Sequence, residues 1–185
     1  MEQTELVKIS VDRSFDSGYG LLFWPNPMLR LPAIHSFMEF NVLLWTRMLP
    51  TLLVLNALGI NSIQVGWPEG LMMSRMSDTI TRMRLFTMVG EVTPHGDANT
   101  NFEECLSLPG LEQEVTRREY AIIVGYTLDG SLCAINASYP ASICWQHEGD
   151  HSAGVLNLDS MIKRLPPVRR PRPAVKLLPP PSHVK

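Results

Sequence analysis

The chain has 185 residues, is 45% hydrophobic and carries a formal net charge of −2. That size suits one domain with an apolar core and room for a tail, and three cysteines without a short-spaced pair exclude a disulfide framework and suit a reducing compartment. No charged region followed by an apolar stretch opens the chain, and the most apolar run, residues 48–60, is too short to span a bilayer and contains Pro50, so neither a secretory leader nor a membrane span is expected.

Charge is unevenly placed. Lys163, Arg164, Arg169, Arg170, Arg172, Lys176 and Lys185 crowd residues 161–185, which hold no acid. The rest of the chain carries nine basic against eighteen acidic residues. An acidic body with a basic tail points to an anionic partner for the tail, or to a tail that is simply solvated.

In chain order, residues 7–11 alternate weakly and suit an edge strand. Pro25-Asn26-Pro27 reads as a turn. From His35 to about Leu58, apolar residues recur at threes and fours, which predicts a helix interrupted by Pro50 and ended by Gly59 at a positive φ. Residues 59–68 read as a loop, 71–76 and 84–92 as strands, and 93–100 as a polar loop. Residues 101–110 form a short extended piece closing on a Pro-Gly turn. Residues 120–127 and 131–135 flank Leu128-Asp129-Gly130, a hairpin signal. A helix over 139–153 follows, starting near Ser138 with Pro140 in its first turn. After Leu158 the pattern fails. Seven of the fifteen prolines lie between Pro166 and Pro181, which suits polyproline II or disorder. The division expected is a catalytic domain over 1–160 and a basic proline-rich tail over 161–185.

Within the last helix, His147-Glu148-Gly149-Asp150-His151 has the HExxH pattern. On a helix the two imidazoles lie one turn apart on one face, where they can share a divalent ion, with Glu148 beside them to carry protons. Ile143 and Cys144 precede His147 by four and three residues and share that face. The third ligand decides the class. Six residues beyond His151, where one protease class has His or Asp, stands Asn157, a poor transition-metal ligand. No Glu follows Glu148 to serve the other common pattern. Upstream, Cys105 in Glu103-Glu104-Cys105-Leu106-Ser107 is the strongest candidate; a thiolate with two imidazoles leaves a fourth position open for catalysis. The alternative for Cys105 is a small buried hydrophobe, a part that suits Cys133 and Cys144 better.

On these residues the chain resembles the peptide deformylase family, over about residues 25–158. The family's Gly-x-Gly-Leu-Ala-Ala-x-Gln-x-Gly loop is similar to Ala57-Leu58-Gly59-Ile60-Asn61-Ser62-Ile63-Gln64-Val65-Gly66. Its Glu-Gly-Cys-Leu-Ser is similar to Glu103-Glu104-Cys105-Leu106-Ser107, and its Gln-His-Glu-x-Asp-His is matched by residues 146–151. Residues 25–30 resemble its early Pro-x-x-x-Leu-Arg segment. Ala57, Asn61, Ser62 and Glu104 depart from it at positions that line the family's substrate cleft, which suits a divergent member, viral origin included.

The resemblance implies an α+β fold, with antiparallel strands packed around the helix of His147 and a second helix before the Gln64 loop. It implies hydrolysis of the formyl group from formyl-methionyl nascent peptides. Cys105, His147 and His151 would hold one divalent ion: Fe(II) first, Zn(II) or Ni(II) in the same place. Glu148 would move the proton. The Gln64 side-chain amide and the Leu106 N–H would stabilise the developing oxyanion. Gly59, Ile60, Glu104, Ile143 and Cys144 would contact the peptide, and Asp150 would pair with Arg117. A monomer in the cytoplasm of a bacterial or virus-infected bacterial cell is expected, with a ribosome contact through the tail. Another metallohydrolase activity, or peptide binding without turnover, remains the alternative.

Overall fold

The computed structural model describes residues 20–34, 47–75, 86–127 and 130–161. The expected strand at 7–11, the first part of the expected helix at 35–46, the hairpin residues Leu128 and Asp129, and the tail beyond Met161 lie outside the described residues.

Among the described residues, five antiparallel strands form one sheet in chain order: β1 (Gly59–Asn61), β2 (Leu71–Ser74), β3 (Phe86–Glu104), β4 (Glu112–Tyr126) and β5 (Leu132–Ala137). Three α-helices accompany them among the described residues: α1 (Leu49–Val54), α2 (Ala141–Ser152) and α3 (Leu158–Met161), with 3-10 turns at Pro27–Arg30 and Ser62–Val65. The expected α+β class and antiparallel sheet are what the chain adopts.

β2 explains the layering. Its four residues are all buried, because both faces are covered. Alternation along a strand sends Leu71 and Met73 one way and Met72 the other. Leu71 and Met73 join Leu21, Met48, Leu52, Ile60 and Val65 on the α1 side. Met72 joins Ala121, Ile123, Ala137, Ala141 and Trp145 on the α2 side. A strand between two layers reads as a continuous apolar run, as Leu71-Met72-Met73 does.

Two expectations at loops are corrected. Residues 93–100 are not a loop but the middle of β3, paired with β4 from Val89↔Tyr126 to Glu104↔Glu112 with an irregularity between His95 and Ala98. β2 reaches only Val89, so beyond it β3 has a partner on one side and exposed side chains. Such a stretch needs no apolar residues, and Pro94 is tolerated there. Residues 59–68 are likewise not all loop, since Gly59–Asn61 is β1. The left-handed residue that ends α1 is Asn56 at φ 49, not Gly59. The Ala57 N–H returns to Leu52 O at 2.9 Å and the Asn56 N–H to Leu53 O at 3.2 Å, closing the helix in a Schellman arrangement.

α2 packs on the sheet largely through polar contacts. The Gln146 amide accepts from Arg118 N at 3.0 Å and donates to Arg118 O at 2.7 Å, so it pairs with β4 as a strand would. Ser142 Oγ donates to Glu119 O at 2.7 Å. At the other end Gly154 adopts φ 71 and closes α2, with Val155 N–H donating to Asp150 O at 2.9 Å. A Cβ there would lie 2.5 Å from Arg30 O, so this glycine also lets the Pro27–Arg30 turn close on α2. Gly154→Ala is therefore expected to lower unfolding stability by roughly 1–3 kcal/mol in a urea titration. A midpoint equal to the native one would show that the chain relaxes there without strain.

Candidate active site

β3 ends at Glu104, and the chain turns at once, with Leu108 N–H donating to Cys105 O at 2.9 Å. This brings Cys105 to the face of α2 that carries His147 and His151. Cys105 Sγ lies 3.3 Å from His151 Nε2, and the two imidazole centroids are 5.1 Å apart. One donor atom from each of the three residues falls within 4.8 Å of the others.

The donor set fits a divalent ion. With arms of about 2.3 Å to sulfur and about 2.0 Å to nitrogen, a tetrahedral ion places such atoms about 3.5 Å apart. His147 Nδ1 is engaged by Glu103 Oε2 at 3.0 Å, which turns Nε2 toward the cluster. Burial opposes charge on His147, yet Cys105, Glu103 and Glu148 outweigh it and hold its pKa well above the usual histidine value. For His151, burial, with the positive charges of His147 and Arg117, pushes the pKa well below.

Glu103 is buried and would be raised by burial alone. Hydrogen bonds from Arg117 and His147 reverse this and hold its carboxyl at about 2. Arg117 grips it through Nε and Nη2 at 2.8 and 2.9 Å, and its Nη1 contacts Asp150 on α2. The expected Arg117–Asp150 pair is therefore present, within a larger network that the motif reading did not include.

Glu148 is buried beside the cluster. Burial pushes its carboxyl up to about 7, with Glu103 and Asp150 adding to the rise and His147 and Arg117 opposing it. Its Oε2 has no hydrogen-bond partner among the described residues. Gly59 makes the space for it: a Cβ there would lie 2.3 Å from Glu148 Oε1 and 2.7 Å from Cys144 Sγ. Gln64 approaches from the other side, its Nε2 3.7 Å from Cys105 Sγ and 3.2 Å from Ser107 Oγ.

These groups open onto one cleft of about 800 Å³. Of the expected contact residues, Gly59, Glu104, Ile143 and Cys144 line it, as do Gln64 and Leu106. Ile60 does not. Alternation along β1 sends it into the α1 core, where it is fully buried. Asn61 and Ser62 also differ from the cleft-lining positions expected of them. Both are fully buried. Asn61 Nδ2 donates to Glu148 O and Ser152 Oγ on α2, each at 2.8 Å, while Ser62 Oγ accepts from Leu71 N at 2.9 Å. The Asn61 N–H also donates to Gln64 Oε1 at 2.9 Å, so one residue fixes both the amide and the helix.

Sequence reasoning missed Glu103 and Asn61 as positioning residues. For Glu103 the signal was available: it stands two residues before Cys105 on a strand and so shares its face. Asn61 had no such signal, because its contacts lie 87 and 91 residues away.

A thiol and two imidazoles a turn apart, with a buried carboxyl beside them whose Oε2 has no partner among the described residues, define the class, a hydrolase of the metal-site type. Comparison with known proteins narrows this. The family described as Polypeptide deformylase matches residues 21–166. Peptide deformylase 1 of Shewanella oneidensis is 31% identical over 160 residues, covering 85% of this chain and 92% of that protein. Among solved structures, Arabidopsis thaliana peptide deformylase 1B in complex with an inhibitor superposes with a TM-score of 0.66 at 27% identity, covering 75% of this chain and 79% of that one. The Synechococcus elongatus peptide deformylase bound to actinonin gives 0.68 at 25% identity, covering 75% and 78%. The chain belongs to the polypeptide deformylase family.

Two outcomes follow from the positioning contacts. Glu103→Gln is expected to weaken Zn(II) or Ni(II) affinity roughly 10- to 100-fold in a chelator-competition titration; native affinity would mean that His147 needs no carboxylate to orient it. Asn61→Ala is expected to cost about 1–3 kcal/mol of stability by chemical denaturation, since it removes both bonds to α2 and leaves the buried Ile63 N–H without its Asn61 Oδ1 acceptor. A native-like denaturation curve would assign the α2 anchor to other contacts.

Proposed function

We propose that this chain removes the N-formyl group from formyl-methionine at the N-terminus of nascent polypeptides and releases formate. The reading rests on one observation: the donor atoms of Cys105, His147 and His151 lie within 4.8 Å of one another, beside Glu148, in a chain of the deformylase family. Those three residues would hold the ion, Fe(II) in the cell, with Zn(II) or Ni(II) compatible with the same donors. The ion supplies Lewis acidity and an acidified water.

The chain's own residues do the rest. Glu148 takes a proton from the attacking water and delivers it to the leaving amine nitrogen. A carboxyl near about 7 can both accept and release a proton at neutral pH. Negative charge grows on the formyl oxygen as its carbon becomes tetrahedral. Gln64 Nε2 and the Leu106 N–H donate to it. Gln64 is oriented for this task, because its Oε1 accepts from Asn61 N–H while its amide nitrogen is held beside Cys105 Sγ and Ser107 Oγ, at the cleft.

The methionine side chain lies against Ile143 and Cys144. Burial, then the Glu148 charge, pushes the Cys144 thiol up, so it stays neutral and serves as apolar wall. β1 is an edge strand, and the peptide backbone adds to it near Gly59 and Leu106. Residues 1–160 form the catalytic domain, and the basic segment 161–185 contacts the ribosome surface where nascent chains emerge. The protein works as a monomer in a bacterial cytoplasm, native or virus-infected. No helix among the described residues is long and apolar enough to cross a membrane.

The test is formate release from formyl-Met-Ala-Ser by Ni(II)-loaded protein, with peptide fragments followed in parallel. Formate without internal cleavage is expected, and Glu148→Gln should lower kcat/KM by roughly 10²- to 10⁴-fold. Fragments without formate would make the chain a protease; neither product at full metal occupancy would make it a binding protein.

A further inference from the structure

We infer that Glu104 and Phe102 select formylated peptides carrying Lys or Arg in the two positions after methionine. This rests on the deformylase reading and names its substrate class.

Alternation near the end of β3 buries Glu103 and, just past the strand, Cys105, while Phe102 and Glu104 point outward. Phe102 is 70% exposed, and it lines the cleft together with Glu104. Among the described residues three carboxylates border the cleft, with different fates. Glu103 is neutralised by Arg117. Glu148 belongs to the proton transfer. Glu104 is left over. Among the described residues no Lys or Arg lines the cleft and no ion pair involves Glu104. Its cross-strand neighbour is Glu112, and that of Phe102 is Glu114. Like charges opposite one another on a sheet repel, and a cation from outside relieves them.

A formylated N-terminus is uncharged, so a cation brought to this rim must come from a side chain. Glu104 stands next to Cys105 and lines the cleft along which the peptide would run. At about 3.4 Å per residue, the second and third residues of an extended peptide pass roughly 6–10 Å from that carbon. A Lys or Arg there lays its methylene stem on the Phe102 ring and its charge beside Glu104, gaining contact and charge pairing together. An acidic side chain at the same place meets an uncompensated carboxylate.

The experiment compares kcat/KM for formyl-Met-Lys-Lys and formyl-Met-Glu-Glu amides, using the full-length Ni(II)-loaded protein. At low ionic strength the basic peptide is expected to be favoured about three- to tenfold, with the ratio shrinking toward one near about 0.5 M NaCl. Glu104→Gln should bring the ratio close to one, Glu104→Lys should invert it, and Phe102→Ala should reduce it chiefly through KM. Each ratio is internal to one protein, so a change in overall rate does not affect it. A native ratio of one, or a preference that survives Glu104→Gln, overturns the inference while leaving the deformylase reading in place. No formate from any peptide overturns both.

Discussion

Arg117 is the constraint on which the geometry of the site depends. Its guanidinium comes from the buried face of β4 and touches Glu103 on β3, Asp150 on α2 and, more loosely, Asn157 beyond it. Cys105 lies two residues past Glu103, and His147 and His151 flank Asp150 on the helix. The distance between thiol and imidazoles is thus set by one cation that both carriers must satisfy. A buried ion pair of this kind contributes little net stability, because desolvating its members costs about what their attraction returns. What it does impose is uniqueness: a shifted helix or slipped strand would strand a buried charge, at about 3–5 kcal/mol when one partner is lost.

The same logic extends to neutral contacts. α2 buries Gln146, Glu148, Ser142 and His151 along with Trp145 and Cys144, so it has no clean apolar stripe with which to dock. Directional bonds hold it instead. Gln146 reads the backbone of β4, and Asn61 reads the backbone of α2. Each such bond is worth only about 0.5–1.5 kcal/mol net, but leaving a buried partner unmade costs more. Helix orientation is therefore sharply defined by groups that are weak individually.

β1 shows how a three-residue strand serves two purposes. Ile60 faces the α1 core, while Gly59 and Asn61 face α2. The glycine is required by the approach of Glu148 and Cys144 rather than by backbone torsion, and Asn61 couples the Gln64 amide to the catalytic helix. Asn61 is thus an anchor within the site, whereas Glu104 is exposed at the rim of the cleft.

The elements with a strong local pattern were legible without coordinates. The helix over 139–153 corresponds to α2, the Asp-Gly signal falls where β4 turns to β5, and Leu71-Met72-Met73 is a strand. Cys105 was legible as the strongest candidate for a third donor, and the structure brings its thiol to His147 and His151. What local pattern misread was β3. Residues 93–100 look like a loop because their side chains meet water, and only pairing with β4 makes them a strand. Ile60 and Asn61 were misplaced for a related reason: composition does not say which face of a short edge strand meets which layer. The sequence by itself determined the kinds of groups available, two imidazoles, a thiol, a carboxyl and a carboxamide. Tertiary structure alone decided which of them meet, because the partners that orient them, Glu103 with His147 and Asn61 with Glu148, are 44 and 87 residues apart and come together only when sheet and helix pack.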